Sequence, residues 1–185
     1  MKLQKSLALS ALCFLVSMIN VSTATAQDLD PAIKKKLDAK LESIKAWTSD
    51  PVVLTAVEAV NKDGHPDAKD MTQDKWKALG ALDAFVKKLA QNDAAKLLKG
   101  KKDAAVSELF VNAANGTKVA LFAKTSSWSH EKSAKHTDPM AGKTWYGKVE
   151  VDESSLTKQI QVGLPISKDG KVIGSMVIGF DIGKL

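Results

Sequence analysis

The chain has 185 residues, 27 lysines and no arginine against 21 acidic residues, 44% apolar residues, 5% aromatic residues and one cysteine. Those proportions suit one globular domain and exclude collagen-like, disordered and multi-pass membrane chains. The lysines are scattered among acids, and the arginine favoured for bidentate contacts to phosphate or guanine is missing, which argues against a nucleic-acid partner.

Lys2 and Lys5 precede an apolar run from Leu7 to Ile19, and small residues follow it to Ala24-Thr25-Ala26. This is the pattern of a secretory signal peptide over residues 1–26, cut before Gln27. The run is short of the roughly 20 residues a membrane helix needs. The expectation is therefore a single exported domain over residues 27–185, periplasmic or secreted, with no membrane span once the signal is removed. Cys13 belongs to the apolar run, and Leu12 before it is not the small residue of a lipoprotein cleavage site. Residues 27–185 hold no cysteine, which removes disulfides, thiol catalysis, iron–sulfur clusters and covalent haem. A chain of that length buries about 68 to 70% of its unfolded surface without a staple.

Ile33, Leu37, Leu41, Ile44 and Trp47 recur at spacings of three and four, which predicts an amphipathic helix over 28–47. Asp50-Pro51 opens a second, shorter helix with Val53, Val57 and Val60 on one side. A polar loop over 61–70 leads to a third helix capped by Thr72, carrying Trp76, Leu79, Leu82, Phe85, Val86 and Leu89, and ended or interrupted at Gln91-Asn92-Asp93. Trp47, Trp76 and Phe85 read as core.

Beyond Gly100 the period changes. Leu109-Phe110-Val111 and Val119-Ala120-Leu121-Phe122 flank Asn115-Gly116, a hairpin turn signal. A polar stretch over 124–147 follows, long enough to suggest function and to contain a short helix. Three strands are predicted at 148–152, 158–167 and 171–182. In the second, Ile160, Val162, Leu164 and Ile166 alternate with Gln159, Gln161, Gly163 and Pro165, giving one core face. The last is apolar on nearly every position from Val172 to Phe180, as a central strand would be.

The segment from Glu108 to Ala120, then Val149 to Ser155, Gln161 to Ile166, and Gly170 to Ile182 resembles, in order, the single-Cache sensor domains of bacterial chemoreceptors and diguanylate cyclases. The resemblance covers roughly residues 40 to 185. It implies an α+β, PAS-like fold with N-terminal helices packed on a five-stranded antiparallel sheet. It also implies a pocket for a small metabolite, an organic acid or amino acid, between the sheet and the long insertion, with occupancy passed to a membrane receptor or signalling protein. Relatives often carry Asp where this chain has Ala113, and Thr-Ser-Asp-Tyr where it has Thr125-Ser126-Ser127-Trp128. They also carry membrane helices and an output module, so the chain reads as the sensor-like module alone.

The candidate ligand-binding residues are Trp128, His130, Lys143, Trp145, Tyr146, Asp152 and Asp181. Trp145 and Tyr146 beside Lys143 offer aromatic walls and a cation for a carboxylate. The trio resembles the Arg-x-Trp-Tyr motif of amino-acid-binding double-Cache domains, with Lys in place of a bidentate Arg. Their bland alternative is a pair of hydrophobic plugs at a strand start. Trp128 and His130 lie mid-insertion, Asp152 ends a strand or caps its turn, and Asp181 can accept an ammonium or cap the end of the sheet. His130, His136 and Asp138 can also be read as two imidazoles and a carboxylate on a metal, but no fourth ligand is evident and no metal or other cofactor is expected. There is no nucleophile elbow, H-E-x-x-H, P-loop or G-x-G-x-x-G, so a binding role is expected over an enzymatic one. A pocketless interaction module of the same fold is the alternative.

Overall fold

A computed structural model describes residues 30–151 and 157–185. The proposed signal segment and Asp152 lie outside the described residues. Helix α1 (Pro31–Thr48) begins at an N-cap, Asp30, whose carboxylate accepts from the amides of Ala32 and Ile33, and it buries Leu37, Leu41, Ile44 and Trp47. Helix α2 (Pro51–Asp63) starts as expected from Asp50-Pro51 and buries Val53 and Val57. Carboxylate caps of this kind satisfy amides that have no partner inside the helix.

The single third helix predicted from periodicity is instead two. Helix α3 (Gln73–Ala78) is capped by the Thr72 hydroxyl, and α4 (Ala84–Gln91) restarts behind the Asp83 carboxylate. Gly80 and a second cap break the helix between them, and Leu82, placed in that helix by its spacing, is 79% exposed. A further helix, α5 (Asp93–Lys101), follows at once because the Asn92 side chain caps it, so Gln91-Asn92-Asp93 is a junction rather than an end.

The strands are β1 (Val106–Ala113), β2 (Lys118–Leu121), β3 (Trp145–Val151), β4 (Lys158–Lys168) and β5 (Lys171–Asp181). They form one antiparallel sheet in the order β2-β1-β5-β4-β3, so the last strand is central, as its two apolar faces required. The protein is thus an α+β fold with helices on a five-stranded antiparallel sheet, in agreement with the PAS-like expectation. The strand ending the insertion starts at Trp145, three residues earlier than predicted. The insertion holds a short helix, α6 (Ala134–Met140).

Alternation divides the sheet into two faces. Leu109, Val111, Ile160, Val162, Leu164, Met176, Ile178 and Phe180 join Leu37, Ile44, Val57 and Leu98 in the larger core, beneath α1, α2 and α5. Phe110, Leu121 and Val177 join Trp76, Val86, Leu89 and Trp128 in a second cluster on the opposite face. Two glycines seat the insertion on that second face. At Gly116 (φ +80°) an added Cβ would lie 2.3 Å from the Glu131 amide nitrogen, and the carbonyl of Gly116 accepts from the His130 amide at 2.9 Å. At Gly163 it would lie 2.7 Å from the Lys135 carbonyl, so α6 packs directly on the β4 backbone.

Candidate functional site

On the insertion side of the sheet, three strands each present one polar side chain from an apolar segment: Asn112 from β1, Lys118 at the start of β2 and Ser175 from β5. All three are fully buried. Lys118 Nζ donates to Asn112 Oδ1 at 2.9 Å, and Asn112 Nδ2 donates to Ser175 Oγ at 3.0 Å. Ser175 Oγ lies 2.7 Å from His136 Nδ1, and His136 Nε2 lies 3.2 Å from the Ala114 carbonyl. A carbonyl can only accept, so Nε2 carries the proton and Nδ1 accepts from the serine hydroxyl. Every bond in this series points the same way, from the lysine towards the carbonyl, and bonds so aligned polarise one another.

His130 closes the other side. Its Nδ1 is 2.6 Å from Lys118 Nζ, and its ring stacks on Phe110 with centroids 5.0 Å apart. The Phe110 ring in turn lies 4.6 Å from the lysine nitrogen. One residue along α6 from His136, Lys135 Nζ donates to Gln161 Oε1 at 2.5 Å, and Gln161 Nε2 donates to Glu108 Oε2 at 2.7 Å. Four basic side chains, Lys118, His130, Lys135 and His136, therefore converge on this face with Glu108 as the nearby acid.

Burial sets their protonation. It pulls the Lys118 ammonium down to about 7, with the Lys135 charge adding to the effect and Glu108 opposing it. Burial, then the Lys118 charge, pushes His130 down to about 3. Lys135 and His136 are lowered as well, each first by burial. Among the described residues the seven ion pairs do not include Lys118. It is a buried amine surrounded by neutral acceptors and a ring face.

The structure separates the candidates read from the sequence. His130 belongs to this cluster. Trp128 is 7% exposed in the adjoining aromatic group, its ring centroid 5.3 Å from that of Trp76 and 5.6 Å from that of Phe85. The indole of Trp76 donates to the Thr125 carbonyl at 2.8 Å, tying the insertion to α3. Trp145 and Tyr146 are adjacent in a strand and so face opposite ways. Trp145 sits under Lys135 on the insertion side, 5.8 Å from its Nζ, whereas Tyr146 packs at the edge of the larger core with its hydroxyl 3.5 Å from Asp38 of α1. Lys143 is exposed. Asp181 caps the last turn of the chain, accepting from the Gly183 amide at 2.9 Å and pairing with Lys184 at 3.3 Å. The six described candidates are thus not brought together: Trp128, His130 and Trp145 share the insertion face, while Lys143, Tyr146 and Asp181 lie apart from it. The two histidines considered for a metal engage Lys118 and Ser175. Among the described residues no three His, Cys, Asp or Glu side chains gather as a metal site.

Lys118, Asn112, Ser175 and Lys135 were not singled out from the sequence. The usable signal was a lone polar residue inside each of three apolar strand segments, Leu109 to Ala113, Lys118 to Leu121 and Val172 to Phe180. The side chains of Phe110, Lys118, Trp128, His130 and His136 occupy the space between sheet and insertion. A surface groove of about 660 Å³ lies elsewhere, between α2 and the α4–α5 junction, lined by Val52, Ala56, Val60 and Leu89.

No protein-family model and no curated protein matches the chain. Among solved structures it is similar to the ligand-binding domain of the Pseudomonas aeruginosa PAO1 amino acid chemoreceptor PctC in complex with GABA. That likeness has a TM-score of 0.47 at 13% identity and covers 83% of this chain and 56% of the other. The ligand-binding domain of the Campylobacter jejuni chemoreceptor Tlp3 in complex with L-valine follows at a TM-score of 0.39 and 15% identity, over 83% and 64% of the two chains. The sensor domain of the Vibrio cholerae histidine kinase DctB gives 0.32 and 13%, over 82% and 58%. The chain spans between about half and two thirds of the length of these sensor domains.

Proposed function

We propose that this chain is a ligand-sensing domain that takes a small metabolite bearing a carboxylate, an organic acid or an amino acid, between the sheet and the 124–147 insertion. The observation that carries this reading is Lys118. A fully buried ammonium without a counter-anion is costly, and the depressed protonation of Lys118 is the form that cost takes. A ligand carboxylate beside Nζ supplies the missing anion and returns the lysine to its charged state, with Lys135 as a further donor. Entry requires the insertion to lift at His130, so the ligand selects an opened state in proportion to its preference for it. The insertion is bonded to α3 through Trp76, Gln73 and Thr125, which gives occupancy a route to the helices. In this reading residues 1–26 direct export, the domain works outside the cytoplasm, it has no catalytic role, and a membrane receptor or signalling protein reads its helical face.

The test is a thermal-shift screen of the purified chain against carboxylates, amino acids, amines and purines, since a ligand of the native state raises the melting point by mass action. The expected result is a concentration-dependent rise with carboxylates that Lys118→Met abolishes. A rise that survives Lys118→Met, or one seen only with amines or purines, overturns the assignment. A second reading, the pocketless interaction module, is favoured by one observation: the cluster groups already bond to one another in the closed state. Silence towards every ligand class, with the exposed faces of α1 and α2 as contact surface, is the result it expects.

A further inference from the structure

Strand β3 forms one edge of the sheet, paired to β4 on one side and, among the described residues, to no strand on the other. Its outer half, Lys148-Val149-Glu150-Val151, is exposed. Val149 and Val151, at 40% and 54% exposure, are two of the four exposed bulky aliphatic residues among those described. An edge of this kind presents unpaired N–H and C=O groups and is a template for another strand. Val149 lies opposite Ile160 of β4 and so shares the α1 face of the sheet, as does Val151 two residues on. Lys148 and Glu150 flank Val149 on the opposite face. Neither takes part in an ion pair among the described residues.

We propose that the β3 edge is a self-association surface, on which a second copy of this chain pairs antiparallel across a two-fold axis at Val149. The charges select both the partner and the register. In an antiparallel ladder alternate residues turn their backbone groups outward, so two copies related by a two-fold can only pair positions an even number apart. Centring on Lys148 sets that lysine against itself, and centring on Glu150 sets two carboxylates together. Centring on Val149 places Lys148 opposite Glu150 of the second copy, twice by symmetry, with the two Val149 side chains in contact on the other face of the ladder. Opposite charges across a ladder stabilise and like charges destabilise, so one register of the three is favoured. The same alternation of charges deters strands that lack it, while the interface is isologous and closes at two copies. The register shift between Tyr146 and Val149 ends the regular ladder at this point and confines the pairing to the outer half of the strand.

The experiment is sedimentation equilibrium of the full chain through the micromolar range, with two charge reversals and their combination. A monomer–dimer equilibrium is expected. Lys148→Glu and Glu150→Lys should each weaken it about ten-fold, because both symmetry-related pairs become repulsive, and the double reversal should restore it. In a Cys13→Ser background, Val149→Cys should form an intermolecular disulfide under mild oxidation, and adding Glu150→Lys should suppress it. All three positions are exposed, so the variants are expected to keep the wild-type circular dichroism spectrum. A chain that stays monomeric, a dimer indifferent to either reversal, or a double reversal that fails to recover association would each overturn the proposal. None of these outcomes bears on ligand binding at Lys118.

Discussion

Replacing Lys118 with Met tests the electrostatics of the buried cluster by removing its amine while keeping an unbranched side chain of similar length. The unfolded lysine titrates near 10.5 and the folded one at about 7. Between those values the unfolded state holds more protons, so this site makes stability rise with pH through that window. Within the window each pH step of one is worth about 1.4 kcal/mol, so raising the pH from about 6.5 to about 9.5 should relieve about 3 kcal/mol of destabilisation in the wild type. In Lys118→Met that contribution is absent. At neutral pH the variant escapes a penalty of about 4 kcal/mol, but it leaves Asn112 Oδ1 and His130 Nδ1 without their donor at a cost of about 1 to 3 kcal/mol each. The two nearly cancel, so the diagnostic quantity is the slope with pH rather than the value at one pH. Urea denaturation followed by circular dichroism at several pH values between those limits measures it. Lys135, also lowered, acts in the same direction in both proteins and drops out of the comparison. Parallel curves for wild type and variant would refute the claim that Lys118 is held near neutrality by burial.

His130 gives the acid counterpart. Its folded pKa of about 3 lies below the unfolded value, so the unfolded state takes up a proton first as the pH falls below about 6.5 and stability is lost towards pH 3. His130→Phe, which keeps the stacking on Phe110, should flatten that acid limb in urea titrations, and an unchanged limb would place the acid-sensitive group elsewhere. Gly116→Ala should cost about 2 to 4 kcal/mol in chemical denaturation, since it combines a positive φ with a Cβ 2.3 Å from a backbone nitrogen. A loss below about 0.5 kcal/mol, as for an ordinary surface change, would show that the insertion is not seated on the hairpin as described.

The elements were legible where the signal is local. Asp50-Pro51 and Asn115-Gly116 carry their own conformational preferences, and each formed the predicted cap or turn. The apolar pattern of Val172 to Phe180 placed β5 at the centre, because only a central strand buries both faces. Periodicity failed between Ala78 and Asp93. Leu79, Leu82 and Phe85 keep helical spacing, yet Gly80 and the Asp83 cap end one helix and start another, and spacing alone cannot register a change of axis.

The candidate site was legible only in part, for a reason of the same kind. Trp145 and Tyr146 were grouped because they adjoin in sequence, but a strand turns adjacent side chains to opposite faces, so one meets Lys135 and the other Asp38. The sequence by itself determined the α+β order of elements, the turn and cap chemistry, and that the 124–147 stretch is long and polar. The tertiary structure alone decided that Asn112, Lys118, His130, His136 and Ser175, drawn from three strands and the insertion, meet in one cluster, buried except at His130. Strand pairing and the seating of the insertion at Gly116 and Gly163 bring those residues together. The lowered pKa of Lys118 follows from that burial, which no property of the lysine or its neighbours in sequence encodes.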